Sequence, residues 1–235
     1  MNLTHRIIAE EQMDAEDLPT EIYTRVLRGL ARVNVATLAT RPTLSFLKRA
    51  LISHAEQTKA PFRLLDVGYG DGDMLRAIWR WTHNRGIACD LVGIDLNPRS
   101  EAVASSRHPK GAHISYRTGD YQNLVSEPWD FIISSLVTHH MTDAQRHAFL
   151  IFMEAHARRG WFINDLHRHA FAFHGFPLLA HLLLVHRIVR EDGQLSIARS
   201  FRPAEWDDML AATNMAGSAQ VRRAFPFRLC VEHIR

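Results

Sequence analysis

The sequence predicts an α/β protein in which helices cover both faces of a mainly parallel sheet. Short apolar runs alternate with stretches of helical spacing from residue 62 onward, as expected of strands joined by helices. A glycine-rich stretch at 66–72 follows the first apolar run directly, which is typical of a turn from a buried strand into a helix. Two runs near the C-terminus predict a hairpin that adds one antiparallel strand.

Each element rests on a local pattern. The helix after the glycines has apolar residues at i, i+3 and i+4, and a capping box at Thr142–Gln145 predicts the start of another helix. The predicted strands cover 62–67, 88–96, 113–117, 129–134, 161–164, 220–224 and 228–234. The predicted helices cover 73–82, about 98–107, a segment from 143 onward, and 203–215.

Two segments lie outside the alternating pattern. Residues 1–58 are predicted to form an N-terminal helical cap, and 59–235 the main domain, with a helical insertion at about 166–200. The insertion is strongly apolar and interrupts the sheet pattern after the fifth strand. We expect both segments to form a lid over the carboxyl ends of the strands, where open α/β sheets bind ligands.

Bulk composition narrows the class of protein. The 28 basic and 25 acidic residues give a net charge of only +3, and no basic run carries interleaved aromatic residues, so no nucleic-acid partner is expected. Cys89 and Cys230 are expected to be buried thiols. The N-terminus lacks the apolar core of a signal peptide, and the longest apolar stretch is shorter than the roughly 20 residues of a membrane span. We therefore expect a cytoplasmic protein, monomeric or homodimeric.

Three sites carry the chemistry of a nucleotide-like ligand. The first is Asp-x-Gly-x-Gly-x-Gly at 66–72, where glycines let a bulky ligand approach the main chain. The second is Asp95, which ends the second strand and can accept hydrogen bonds from a ribose diol, or can merely cap the next helix. The third is Asp120 with Tyr121 after the third strand, suited to an adenine ring, or else a solvated turn.

Together these sites resemble the cofactor-binding core of the class I S-adenosylmethionine (SAM)-dependent methyltransferases, over roughly residues 60–165. The resemblance implies a three-layer α/β/α sandwich with a seven-stranded sheet in the order 3-2-1-4-5-7-6 and strand 7 antiparallel. It implies SAM as cofactor and S-adenosylhomocysteine (SAH) as product. The cofactor contacts that it implies are Asp66, Gly68, Tyr69, Gly70, Gly72, Asp95, Leu96, Asp120, Tyr121 and Ser135.

Histidines follow the fourth and fifth strands and are the candidate catalytic residues. His139 and His140 come after strand four, and His167 follows Asn164-Asp165 after strand five. Histidine is a natural base near neutral pH for an acceptor hydroxyl that must lose its proton. The alternatives are structural roles, in which these histidines only pack beneath their loops and Asn164-Asp165 caps a helix.

The sequence favours a metal-independent mechanism. Ser134-Ser135 stands where metal-dependent catechol-type methyltransferases have an aspartate, and the order Asn-Asp after strand five is reversed relative to them. A zinc site from His139, His140, His167 and His169 is disfavoured, because neighbouring pairs do not converge easily.

The predicted activity is methyl transfer to a small, largely apolar molecule, with O-methylation of a phenolic or hydroxylated natural product as the leading hypothesis. The sequence Asn-Asp-Leu-His-Arg after strand five resembles bacterial methyltransferases of secondary metabolism. The alternatives are an RNA or protein methyltransferase, which the weak basic charge disfavours, and a non-catalytic SAM-binding regulator. A Rossmann dehydrogenase is opposed by the glycine spacing.

Overall fold

A seven-stranded sheet forms the centre of the protein, which a computed structural model describes at residues 3–53 and 61–235. The strands are β1 (Phe62–Val67), β2 (Cys89–Asp95), β3 (Ile114–Thr118), β4 (Trp129–Ser135), β5 (Ala157–Leu166), β6 (Gln220–Ala224) and β7 (Arg228–Ile234). Their order is β3-β2-β1-β4-β5-β7-β6, and β7 runs antiparallel to both of its neighbours. The predicted order and the antiparallel last strand are confirmed.

Helices flank the sheet on both sides. They are α1 (Thr20–Ala36), α2 (Thr40–Ser53), α3 (Asp73–His83), α4 (Arg99–Ser105), α5 (Asp143–His156), α6 (Ala170–Leu182), α7 (Arg187–Arg199) and α8 (Pro203–Ala212). One buried cluster joins α2, α3 and α4 to one face of the sheet, and a second joins α5 and α8 to the other. This arrangement is the predicted three-layer sandwich. The capping box at Thr142 and Gln145 is present at the start of α5.

Two element boundaries differ from the sequence prediction by three residues or more, and the others agree to within two residues. β5 begins four residues before the predicted 161, because its backbone already pairs with β4 at Ala157, opposite Trp129. α8 ends at Ala212 rather than 215, because Asn214 adopts a left-handed conformation with φ 58°. In both cases the boundary depends on a feature of the backbone that local periodicity does not reveal.

The N-terminal segment divides between two roles. α1 contributes residues to a large cavity above the strand ends, as a lid would. α2 instead belongs to the core, since Phe46 stacks on Phe162 of β5 with ring centroids 4.9 Å apart. The predicted domain boundary between 58 and 59 lies outside the described residues.

The insertion after β5 forms the antiparallel pair α6 and α7. α7 packs on α1 where Gly29 leaves room for Val189. Cys89 and Cys230 are free thiols, and Cys230 is buried as predicted, whereas Cys89 at the start of β2 is only half-buried. Over 3–53 and 61–235, no helix is both long and apolar enough to span a membrane.

Candidate active site

The glycine loop after β1 is held in left-handed backbone conformations. Gly68, Gly70 and Gly72 have φ values of 77°, 55° and 76°, which side chains other than glycine rarely adopt. A Cβ on Gly68 would collide with Val137, and one on Gly72 would lie 2.8 Å from the Tyr116 ring. Only Gly70 of the three has open space toward the cavity, where the nearest atom to a Cβ would be 3.8 Å away. Two of the glycines therefore allow the loop to pack, and one exposes main chain to a ligand.

Asp95 links this loop to the end of β2. Its Oδ2 accepts a hydrogen bond from the Gly70 N–H at 2.9 Å, and its Oδ1 accepts one from the Asn97 N–H at 2.9 Å. Burial raises the pKa of Asp95 above its usual range. The Ser100 side chain also hydrogen-bonds to this carboxylate, which leaves about one of its roughly four lone-pair sites free to accept from a diol. Leu96, beside it, is 76% exposed and lines the cavity.

Asp120 and Tyr121 flank the next part of the cavity. Asp120 caps a short 3-10 helix by accepting the Gln122 N–H at 2.9 Å. It therefore has the role in a turn that the sequence suggested as the alternative. Tyr121 packs its ring against Phe149 and Phe152, with centroids 5.0 and 4.7 Å away. Both residues line the same cavity as Gly70 and Asp95, which is compatible with the predicted adenine contact.

Asp66, near the end of β1, is a buried carboxyl group that has no hydrogen-bond partner within residues 3–53 and 61–235. It is 1% exposed, and neither oxygen has a hydrogen-bond partner among the described residues. Burial, with the nearby charges of Asp73 and Asp95, raises its pKa well above the usual range. Because an unpaired buried polar group is costly, this residue marks a place where a cationic or hydrogen-bonding ligand group fits.

A cavity of about 940 Å³ joins these residues to the lid. Its lower wall includes nearly all the predicted cofactor contacts; Gly72 is the exception, since it packs against Tyr116. The upper wall is largely apolar and comes from α1, α6 and α7. Its lining residues there are Leu27, Leu30, Ala31, Val33, Phe171, Ala172, Phe176, Leu179, Val189 and Ile197.

Ser135 lies at the carboxyl end of β4, on the cavity wall. Its Oγ donates to the Asn164 carbonyl at 3.4 Å, and the same carbonyl accepts the Leu136 N–H at 3.0 Å. Leu136 adopts a left-handed conformation with φ 61°. This turn directs the chain that follows β4, and with it His139, back over the strand ends.

His139 and Asp165 form a buried dyad at the carboxyl ends of β4 and β5. The His139 Nδ1 lies 2.7 Å from Asp165 Oδ1, and Asp165 Oδ2 also accepts the His139 N–H at 3.0 Å. Burial opposes the charge of Asp165, but the His139 ring and the Thr138 hydroxyl together hold its pKa well below its usual range. A permanent carboxylate at Nδ1 fixes the ring so that Nε2 is the free nitrogen. Nε2 has no hydrogen-bond partner among the described residues, and His139 lines the cavity.

Glu11 lies beside the His139 ring on the side opposite Asp165. Its Oε1 lies 3.7 Å from His139 Nε2 and accepts the Ser196 hydroxyl at 2.8 Å, and its Oε2 lies 3.8 Å from His140 Nε2. Burial raises the pKa of Glu11 to about 7. His140 is also held by Asp14, at 3.1 Å from its Nδ1.

Glu11, His139 and His140 bring possible ligand atoms within 4.8 Å of one another, a convergence that the sequence did not suggest. The Arg199 guanidinium lies 3.6 Å from Glu11 Oε1, so a positive charge already stands where a divalent ion would need the carboxylate. The absence of a metal remains a prediction.

His167 does not join this group. It is not among the described residues that line the cavity; its N–H donates to the Phe227 carbonyl, and its ring lies 5.4 Å from that of His169. Burial and the charge of Arg223 lower its pKa to about 4. We therefore do not carry His167 into the proposed mechanism.

Three site residues were missed from the sequence. Asp165 was read only as a helix cap, although a carboxylate after a buried strand is a recognisable signal. Glu11 and Arg228 gave no local signal, since one lies in the N-terminal segment and the other begins the last strand. Arg228 is 2% exposed and lines the cavity.

Comparisons with known proteins agree with this fold. The family described as a methyltransferase domain matches residues 64–160. No curated protein matches the sequence significantly. The plantazolicin methyltransferase BpumL in complex with SAH is similar in structure, with a TM-score of 0.63 and 14% identity over 92% of this chain and 95% of that chain. Magnesium protoporphyrin IX methyltransferase (ChlM) from Synechocystis PCC 6803 with bound SAH is also similar, with a TM-score of 0.51 and 12% identity over 95% and 91%.

The glycine loop, the sheet order and the family match define the class of protein. The chain has the class I methyltransferase fold, and its residues 64–160 match the family described as a methyltransferase domain. SAM is the cofactor of this class, and the contacts of Asp66 and Asp95 with it remain predictions.

Proposed function

We propose that this protein transfers the methyl group of SAM to a hydroxyl oxygen of a small, largely apolar acceptor, such as a phenolic or hydroxylated natural product. The observation that carries the proposal is the single cavity that joins the glycine loop to the free Nε2 of His139 beneath an apolar wall. The similar structures are methyltransferases of plantazolicin and of magnesium protoporphyrin IX, which supports a non-nucleic-acid acceptor.

The chain's own residues would handle the proton. When bound, SAM supplies an electrophilic methyl group on a sulfonium. His139 Nε2 would take the proton of the acceptor hydroxyl as its oxygen receives the methyl group and SAH is left behind. Asp165 keeps the ring oriented and stabilises the imidazolium that forms. The apolar residues of α1, α6 and α7 would exclude water from the reacting groups, and the positive charge would pass from the sulfonium to the His139 ring beside Asp165.

His140 is the second candidate base. It lies 3.1 Å from Asp14, whose pKa is lowered, against the effect of burial, by the hydrogen bond and charge of His140. Its side chain is 28% exposed, against 2% for His139. We assign the proton to His139 because its partner Asp165 is fully buried and therefore holds the ring more firmly.

The test measures label transfer from methyl-labelled SAM to a panel of phenols and hydroxylated aromatic compounds, with mass spectrometry of the extracted products. His139→Ala and Asp165→Asn should each lower turnover by about 100-fold or more and leave SAH affinity unchanged. His147→Ala, at an exposed position on α5, is the matched control. Label found in RNA or protein instead of solvent-extractable products would overturn the proposal, as would full activity in the His139 variant.

A further inference from the structure

Arg228 stands at the cavity as a buried cation. It begins β7 opposite Leu166 of β5, so it lies at the edge of the sheet where the parallel strands end. Its side chain lines the cavity and is 2% exposed. Among the described residues that line the cavity it is the one arginine or lysine, whereas carboxyl side chains are numerous there: Glu11, Asp14, Asp66, Asp71, Asp73, Asp95, Asp120 and Asp192.

The hydrogen bonds of this guanidinium are incomplete. Nη2 donates to the Thr37 hydroxyl at 3.3 Å, but Nε and Nη1 have no partner within the described residues. Asp165 and Asp73 favour its charge only from a distance, and burial lowers its pKa despite them. A buried charge without a partner weakens the folded state. Its presence in a ligand-sized cavity therefore points to a partner that arrives with a ligand.

We propose that Arg228 is the anion-binding residue of the cavity and that its free Nε–H and Nη1–H groups bind a carboxylate of a bound ligand. Arginine suits this role because it remains charged when buried and directs several N–H groups in one plane. The proposal rests on the proposed function only in taking this cavity as the site where cofactor and acceptor bind.

Two ligands could bring the carboxylate. SAM and SAH carry one on their methionine part, close to an ammonium group, and the acidic wall beside Asp66 and Asp73 would match the cationic groups while Arg228 matches the anion. An acidic acceptor could equally bring it, because Arg228 adjoins Leu166 and Phe227 on the side of β5 and β7, away from Asp95.

Binding measurements separate these sources without any turnover. Calorimetry would compare wild type, Arg228→Met and Arg228→Lys with SAH and with 5′-methylthioadenosine, which shares the adenosyl thioether but lacks the amino acid. A third titration would add benzoate, an apolar carboxylate, to protein saturated with SAH. Arg223→Met, which changes an exposed arginine on the neighbouring strand, is the matched control.

If the cofactor brings the carboxylate, Arg228→Met should weaken SAH binding by about tenfold or more and leave 5′-methylthioadenosine binding unchanged. If the acceptor brings it, SAH binding should stay unchanged and benzoate binding should be lost. In either case the Met variant without ligand should melt at the same or a higher temperature, because an unpaired buried charge has been removed. Arg228→Lys should retain part of the lost binding.

Equal binding of all three probes by wild type and Arg228→Met would overturn the proposal. So would a lower melting temperature with unchanged binding, since that pattern marks a purely structural arginine. Methyl transfer is not measured, so a protein that binds carboxylates through Arg228 but methylates no hydroxyl would disprove only the proposed function.

Discussion

At the scale of single residues, the site contains ionisable side chains that are buried, although such side chains are usually exposed to water. Asp66 and Arg228 are each at most 2% exposed, yet each has polar side-chain atoms without a hydrogen-bond partner among the described residues. Folding tolerates such residues where ligands complete their contacts, which is why perturbed ionisable groups concentrate in functional clefts. Asp165 is the contrast, because its partners are all within the protein.

Asp95→Ala should weaken SAH binding by about 1.5–3 kcal/mol, because the variant loses hydrogen bonds from a charged group to the ribose and also the tether to Gly70. Calorimetry measures the effect. Asp90→Ala, which removes a half-exposed carboxylate from the other end of β2, should bind SAH like wild type. An unchanged affinity in the Asp95 variant would refute the ribose assignment.

Removal of metal ions should leave methyl transfer unchanged. Arg199 and Ser196 already contact Glu11, so the cluster of Glu11, His139 and His140 has its charge compensated by protein. The rate after dialysis against EDTA, with elemental analysis of the protein, tests this expectation. A loss of activity that added Zn²⁺ or Mg²⁺ restores would show that a metal is required.

At the scale of elements, the lid depends on close contact between α6 and α7. Gly193 of α7 packs directly under the Phe176 ring of α6, and a Cβ at this position would overlap the ring. Both residues line the cavity. The spacing of these two helices therefore sets the shape of the upper wall of the cavity, whereas loops of the sheet shape the lower wall.

Gly193→Ala should push Phe176 toward the cavity, lower stability by about 1–3 kcal/mol, and raise the KM for the acceptor more than the Kd for SAH. Thermal unfolding, steady-state kinetics and calorimetry measure the three quantities. Gly217→Ala serves as control, because nothing lies within 4 Å of a Cβ there. Equal effects of the two substitutions would argue against a tight contact between the lid helices.

At the scale of the whole molecule, Glu11 joins three parts of the chain. It comes from the N-terminal segment, accepts from Ser196 of α7 and faces His139 after β4. Because burial raises its pKa from 4.5 to about 7, the folded protein holds this proton more tightly than the unfolded chain does. The stability that this proton provides is complete below about pH 4.5 and is lost as pH rises through about 7.

Glu11→Gln should therefore be as stable as wild type near pH 4.5, and more stable above pH 7 by up to about 3 kcal/mol. Denaturant unfolding across this pH range measures the difference. Glu10→Gln changes the exposed neighbour and should follow the wild-type profile. A stability difference between Glu11→Gln and wild type that does not vary with pH would contradict the shifted pKa.

Local patterns were sufficient for the strands, and they place the predicted cofactor contacts, which remain predictions, at one edge of the sheet. Glycines at 68, 70 and 72, and acids at the ends of neighbouring strands, lie close together in any sheet with this order, because parallel strands end at one edge. The capping box that starts α5 was equally readable, since its two hydrogen bonds involve residues three apart. These features depend on contacts between residues that are near in sequence or adjacent by topology.

Periodicity and turn residues predicted the α/β class and the antiparallel last strand, the resemblance to a known family supplied the strand order, and the residues expected to contact the cofactor remain a prediction. Only the tertiary structure decided that His139 rather than His167 faces the cavity, that Asp165 orients it, and that Glu11 and Arg228 arrive from opposite ends of the chain to complete the wall. The physical reason is that burial and pairing of charges depend on the whole packed molecule, and no local spacing encodes whether a histidine or an arginine will find a partner within the protein.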